Sequence, residues 1–340
     1  MKLGVTMPIL NQPIDAFPSM AESAESAGFD SVWDYEFYRN PFVMHALNCQ
    51  RTNSIALGTG LATALNRTPF EMANAAADVD EASGGRLLLG LGIGGAHFAE
   101  IFHDAETDHP ATRMRDYVEV LQRSWHWLDT GEARTYSGRY YNFGVPEFNP
   151  FGRRPMARPR IPIYLAGLRP TMLKLAGEVA DGAIGFMLPP KYIREVAVPS
   201  VAEGARKAGK DPDSVDIASE VICSVSSNRS EAMSLARRQV GAYVAYPVTL
   251  PIVQYLGLER ERQVVVDGLM KEGPAGIEKY VDDKLVECFA IAGTPDECRA
   301  QIKAYEDCLP HILLHTPYCP PITQEESAAA FANIVDTFAR

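Results

Sequence analysis

Short runs that are apolar throughout alternate along the chain with longer stretches in which apolar residues return every three or four positions. The short runs fall at 3–9, 31–33, 55–62, 87–93, 161–166, 182–186, 215–223 and 312–315. Without polar alternation they suit strands covered on both faces, as in a parallel sheet. The clearest intervening pattern places Met114, Tyr117, Val118, Leu121, Trp125 and Leu128 on one side of a helix. Arg115, Asp116, Glu119 and Arg123 then fall on the exposed side. Strand followed by helix, eight times in 340 residues, predicts an α/β chain folded as one closed (β/α)8 TIM barrel, residues 1–340, with insertions.

Two connections are longer than simple loops. The first, 131–160, joins a helix to the following strand, so it is expected as an insertion at the N-terminal rim. It carries Tyr136, Tyr140, Tyr141 and Phe143 and a run with Arg153, Arg154, Arg158 and Arg160, expected as a solvated or subunit-contact patch. The second, 224–290, leaves the C-terminal rim, where barrels bind ligands. It is expected either to form a lid, with Tyr246, Val248, Leu250, Ile252 and Tyr255 over the pocket, or to pack on the barrel. Beyond it, Thr294, Pro295, Asp296 and Glu297 write the start of a helix.

Charge narrows the partners. A net charge of −11 argues against nucleic acid and against an anionic membrane surface. No run approaches about 18 apolar residues and the first residues turn polar early, which predicts a cytoplasmic protein. The six cysteines include no C-x-x-C pair, so reduced thiols and no metal site are expected.

Barrel chemistry belongs at strand C-termini. Asp34 and Tyr35, Glu220, His97 and His315 stand at or just past such ends, and Asp34 or His97 could carry protons. The glycine stop at Gly94 and Gly95 lets a flat ligand approach bare backbone. Gly167 leads into a helix whose free N–H groups could hold a phosphate. There is no P-loop, and the glycines at 90–95 lack dinucleotide spacing.

The order of AESAGFDSVW at 24–33, IALGTG at 55–60, SGGRLLLGLGIG at 83–94, IYLAG at 163–167, LAGEVADG at 175–182 and GTPDE at 293–297 resembles the bacterial luciferase-like family of flavin- and deazaflavin-dependent oxidoreductases. The likeness runs nearly end to end. It implies a TIM barrel with a flavin or deazaflavin ring against Gly60, Leu61 and Ala62, where the family has a bulge or a non-prolyl cis peptide. It also implies a cofactor phosphate near Gly167, Leu168 and Gly185, with Thr6, Gly94, Ala166 and Phe186 completing the cofactor contacts.

Within the family the chain is most similar to the deazaflavin-using branch, through Ala111, Arg113, Met114, Arg115 and Tyr117. Sugar-phosphate dehydrogenases of that branch carry Asp-His after the second strand and a glutamate after the fourth. Here those places hold Asp34-Tyr35 and Gly95, which removes that base and acid.

The resemblance implies hydride transfer to or from a small organic substrate, with a deazaflavin coenzyme of the F-420 type or FMN as cofactor, and the apolar residues of the second connection suggest a largely apolar substrate. Asp34 and His97 are then the expected proton-handling groups, with Tyr35 and Glu220 behind them. An FMN-dependent two-component monooxygenase with a separate reductase is the alternative, and a non-catalytic flavin-binding protein the second. A metal-dependent hydrolase would want more histidines and carboxylates at strand ends than His315 and Asp34. Exposed helices after the second and third strands, together with the family likeness, suggest a homodimer.

Overall fold

In the computed structural model the apolar runs become parallel strands: β1 (Lys2–Thr6), β2 (Ser31–Asp34), β3 (Ala56–Thr63), β4 (Leu87–Gly92), β5 (Ile163–Ala166), β6 (Gly182–Phe186) and β7 (Asp216–Val225). After β8 (Ala290–Gly293), β9 (His311–His315) bonds to both β7 and β1 and closes an eight-stranded barrel. Residues 1–146, 152, 154 and 156–340 are described. β7 is ten residues long because it serves three partners: its first part pairs with β6 and β9, and its last four residues pair with β8 outside the ring. β8 was not foreseen from its four residues, Ala-Ile-Ala-Gly, which run directly into the capped helix Pro295–Gln301.

Alternate residues of each strand face inward and stack in layers. Trp33 fills the middle with Leu88, Tyr164, Ile184, Ala218 and Leu313. Gly4 and Gly58 leave room for the indole, since a Cβ on Gly58 would lie 2.3 Å from its ring. Below Trp33 the floor is polar. Asp216 Oδ2 accepts hydrogen bonds from Lys2 Nζ (2.9 Å) and the Tyr164 hydroxyl (2.8 Å). Ser31 Oγ accepts the Trp33 indole N–H at 2.7 Å and shares a 2.8 Å hydrogen bond with His311 Nε2. The outward residues, among them Val5, Val32, Leu57, Leu89 and Leu165, pack under the surrounding helices.

The helix Pro110–Thr130 buries Met114, Tyr117, Val118, Leu121 and Trp125 as the spacing predicts, but Asp116 is buried with them. Its carboxylate accepts hydrogen bonds from the Tyr136 hydroxyl (2.7 Å) and the Tyr140 backbone N–H (2.8 Å) of a small hairpin, Tyr136–Ser137 with Asn142–Phe143. Those partners lie beyond the reach of helical periodicity. In the arginine run, Arg154, Arg158 and Arg160 pair with Asp78, Asp80 and Asp181 rather than standing free in solvent. Arg153 lies outside the described residues. In the long second connection the helix Arg229–Ala245 buries Ala232, Met233, Ala236, Val240 and Val244, and packs on β7 and β8. Of the apolar residues there, Ile252 is buried while Tyr246, Val248 and Tyr255 are exposed. Among the described residues no helix is long and apolar enough to cross a membrane.

Candidate active site

One step above the Trp33 layer, the inward positions at the C-terminal strand ends are Thr6, Tyr35, Gly60, Ala166, Phe186, Glu220 and His315. Each lies two residues beyond a side chain or glycine of the middle layer, so strand parity aims them at the barrel mouth. The register between β7 and β9 sets Glu220 opposite Leu313, which brings His315 one step further beside it. His315 Nδ1 is 2.7 Å from Glu220 Oε2, and both side chains are buried.

β3 slips register against β4 between Thr59 and Ala62, a bulge of the kind that re-aims backbone next to a ligand. Of the two possibilities the family likeness allows, the structure has the bulge: among the described residues the cis bond is Pro320-Pro321. The bulge brings Gly60 against its neighbours, where a Cβ would lie 2.4 Å from the Asp34 carbonyl oxygen and 2.6 Å from Glu220 Oε1. Bare backbone therefore faces the carboxylate directly.

Aromatic rings surround this pair. Tyr35 stacks on Tyr318 with centroids 5.1 Å apart, Phe186 meets the His315 ring edge-on at 5.3 Å, and Tyr243 lies 4.4 Å from Phe186. The Tyr243 and Tyr318 hydroxyls share a hydrogen bond. Gln239 Oε1 accepts the backbone N–H groups of Tyr318 and Cys319, each at 2.8 Å, and so anchors the segment after β9. Burial pushes the hydroxyls of Tyr35, Tyr243 and Tyr318 well above the usual phenol value, so all three are neutral near pH 7. Here His315 Nε2 and, at the adjoining strand ends, Thr6 Oγ1 and Thr316 Oγ1 are buried without a hydrogen-bond partner. Buried polar atoms are normally paired, so a cluster of unpaired ones is the mark of a ligand site.

Asp34 takes the other parity. Its buried side chain points out of the barrel, where Oδ2 is 3.2 Å from His45 Nε2 on the helix Pro41–Asn48. The same nitrogen is 3.0 Å from the Gly58 carbonyl oxygen. Burial raises the Asp34 carboxyl above its usual range, with His45 only partly offsetting it. Burial works against the His45 imidazolium, but Asp34 and the Gly58 carbonyl outweigh it and raise that group too. His97 lies on the exposed helix Ala96–His103, against Phe98. Of the four proton-handling candidates, then, Tyr35 and Glu220 face the mouth, Asp34 faces His45 behind the strands, and His97 lies on the exposed helix after β4.

Among the cofactor positions, Gly94 has a left-handed φ of 78° beside Thr63. Gly167 opens the turn into the helix Pro170–Val179, and the Leu168 carbonyl accepts the Tyr192 hydroxyl at 2.8 Å. Gly185 faces outward, and a Cβ there would lie 2.3 Å from Leu188 Cδ1, so packing against Leu188 already favours glycine. His315 as partner of Glu220, and Tyr243, Tyr318 and Thr316 around it, were not singled out from sequence. The two members of the pair are far apart in the chain, and only the barrel register joins them.

The pattern that defines the luciferase-like monooxygenases matches residues 1–311. A 5,10-methylenetetrahydromethanopterin reductase from Methanolobus tindarius is 32% identical over 304 residues, covering 87% of this chain and 88% of the relative. The structure of a coenzyme F420 dependent tetrahydromethanopterin reductase from Methanopyrus kandleri superposes with a TM-score of 0.81, at 24% identity over 99% of this chain and 97% of that one. The FMN complex of the oxygenating constituent of 3,6-diketocamphane monooxygenase from Pseudomonas putida superposes at 0.72, with 19% identity over 100% and 97% of the two chains.

Proposed function

The chain belongs to the luciferase-like monooxygenase family and is an oxidoreductase of its flavin- or deazaflavin-using kind; from that premise we propose that it uses a deazaflavin coenzyme to transfer hydride to or from a small organic substrate at the barrel mouth. The observation that carries this reading is the β3 bulge, which sets the bare backbone of Gly60 against the buried Glu220, itself beside His315. The backbone at 60–62 would hold the ring, and the turn at Gly167 and Leu168 its phosphate, where a helix N-terminus supplies N–H donors and a favourable dipole. When bound, the deazaflavin supplies or accepts the hydride, and reacts poorly with oxygen. The chain contributes orientation, a dry aromatic enclosure, and a place for the proton. Asp34 and His45 keep β3 in position through the Gly58 carbonyl.

Support for deazaflavin over FMN comes from the 32% identity to a methylenetetrahydromethanopterin reductase across most of both chains. The fold likeness to an FMN-bound oxygenating subunit keeps a two-component monooxygenase as the second reading. Exposed Val43 and Phe70, on the helices after β2 and β3, would then meet a second copy in a homodimer. Anaerobic titration with oxidised deazaflavin coenzyme and, separately, with FMN tests the cofactor. Tighter binding of deazaflavin supports hydride transfer, whereas preference for FMN turns the reading to oxygenation.

A further inference from the structure

The mouth contains a proton couple assembled from the neighbouring strands β7 and β9. Glu220 on β7 holds His315 Nδ1 at 2.7 Å, and His315 Nε2 is buried, unpartnered and surrounded by Tyr35, Phe186, Tyr243 and Tyr318. A carboxylate on one imidazole nitrogen fixes the tautomer and orientation of the other, which leaves Nε2 to face a reacting group. Just past the end of β2, the parity that turns Asp34 outward aims Tyr35 inward, where its ring faces His315. Thr6 Oγ1 and Thr316 Oγ1 add two more unpaired groups at the neighbouring ends of β1 and β9.

The inward layer at these strand ends contains no lysine or arginine. Nearby Arg67 is already paired with Glu36 at 2.8 Å and leans on the Phe42 ring at 5.3 Å. A phosphate or carboxylate on the substrate would therefore meet Glu220 without a lysine or arginine among the described inward residues of this layer. Phenols, hydroxyls and a buried histidine instead suit a compact neutral oxygen on an apolar body.

We propose that His315, oriented by Glu220, is the group that takes and returns the proton of a neutral secondary alcohol or ketone substrate, with Tyr35 hydrogen-bonded to the same oxygen. The inference rests on the deazaflavin reading above. In the oxidative direction the carbon–hydrogen bond breaks and its electron pair leaves as hydride to the oxidised deazaflavin. The O–H bond breaks toward His315 Nε2, and the carbon–oxygen double bond forms. Ketone reduction reverses each of these. Glu220 is a positioning residue, acting through the imidazole. The groups facing His315 are Glu220 from β7, Tyr35 from β2, Tyr243 from the helix Arg229–Ala245, and Tyr318 from the segment after β9.

The test uses the full chain loaded with oxidised deazaflavin and a panel of linear and cyclic neutral secondary alcohols with their ketones. The wild type should turn over members of this panel, and His315→Gln should lower kcat about 100-fold with KM and deazaflavin Kd changed less than about threefold. Glu220→Gln should lower kcat about tenfold and shift its pH profile, which a purely structural side chain would not do. Independently of turnover, cyclohexanone added to the loaded, 15N-histidine-labelled protein should move the His315 Nε2 resonance. Full kcat in a folded His315→Gln protein, an unmoved Nε2 resonance, or no turnover of any neutral alcohol by a wild type that binds deazaflavin would each overturn the proposal. A wild type that binds no deazaflavin would overturn the broader reading, and this inference with it.

Discussion

The two ends of the barrel carry the same pair of residue types on the same two strands, four positions apart. At the floor Asp216 of β7 lies 3.7 Å from His311 of β9; at the mouth Glu220 lies 2.7 Å from His315. Their surroundings differ. The floor is occupied by its own neighbours: Lys2 and Tyr164 hydrogen-bond to Asp216, while Ser31 joins His311 to the Trp33 indole. The mouth leaves His315 Nε2 without a partner among aromatic rings, and Thr6 Oγ1 and Thr316 Oγ1 unpaired at the adjoining strand ends. An acid–histidine pair is thus structural where its other contacts are filled by the protein, and a candidate for chemistry where they are left open.

The largest effect should come from removing what separates the two ends. Trp33 is wholly buried, with two glycines shaped around it, so Trp33→Ala should cost about 4 kcal/mol in urea unfolding. A cost near 1 kcal/mol would mean that the two layers do not depend on the indole. Next, the same neutralisation at each end should have opposite consequences. Asp216→Asn should remove about 2 kcal/mol of stability at neutral pH and leave turnover unchanged. Glu220→Gln should impair turnover and change stability by less than about 1 kcal/mol.

The acid dependence follows the same contrast. Burial alone would raise the Asp216 carboxyl, but the nearby His311 imidazole and the hydrogen bonds from Lys2 and Tyr164 outweigh it and hold the group well below the usual carboxylate range. Its folded value is depressed, so its stabilisation is present above the unfolded value near pH 4 and is lost as pH falls toward the folded one. Asp216→Asn should erase that part of the acid limb in a series of urea melts, and an unchanged limb would contradict the floor's role.

Gly60→Ala sharpens the mouth. A Cβ there meets backbone at 2.4 Å and Glu220 at 2.6 Å, so the variant should weaken deazaflavin binding about tenfold, with an overpacking cost of about 1–2 kcal/mol. The smallest effect belongs to Glu25, which accepts the backbone N–H groups of Asn53, Ser54 and Ile55 leading into β3. Burial opposes its charge, yet those bonds hold it down to about 2. Glu25→Gln should cost about 1 kcal/mol at pH 7, a difference that fades as wild-type protein is acidified from about pH 4 toward 2.

The barrel was legible because eight buried parallel strands announce themselves as apolar runs. The same feature hid the direction of the side chains. Ser31-Val32-Trp33-Asp34-Tyr35 has no polar alternation, so nothing local tells that Asp34 faces a helix while Tyr35 faces the mouth. Once Trp33 is seen inside, parity assigns both. Glu220 stood out as a charge within an apolar run, and His315 as a histidine at a strand end. That they form one unit depends on the β7–β9 register, which no local pattern encodes. His97 follows the glycine stop closely in sequence, and the intervening turn carries it onto an exposed helix.

The contrast between floor and mouth is tested most directly by titrating 15N-histidine-labelled protein with oxidised deazaflavin under anaerobic conditions and following both barrel histidines. The His315 resonances should move at concentrations that saturate coenzyme fluorescence, while those of His311 stay fixed. Saturable binding that leaves His315 unmoved, or that shifts His311 instead, would contradict the placement of the reactive site at the mouth.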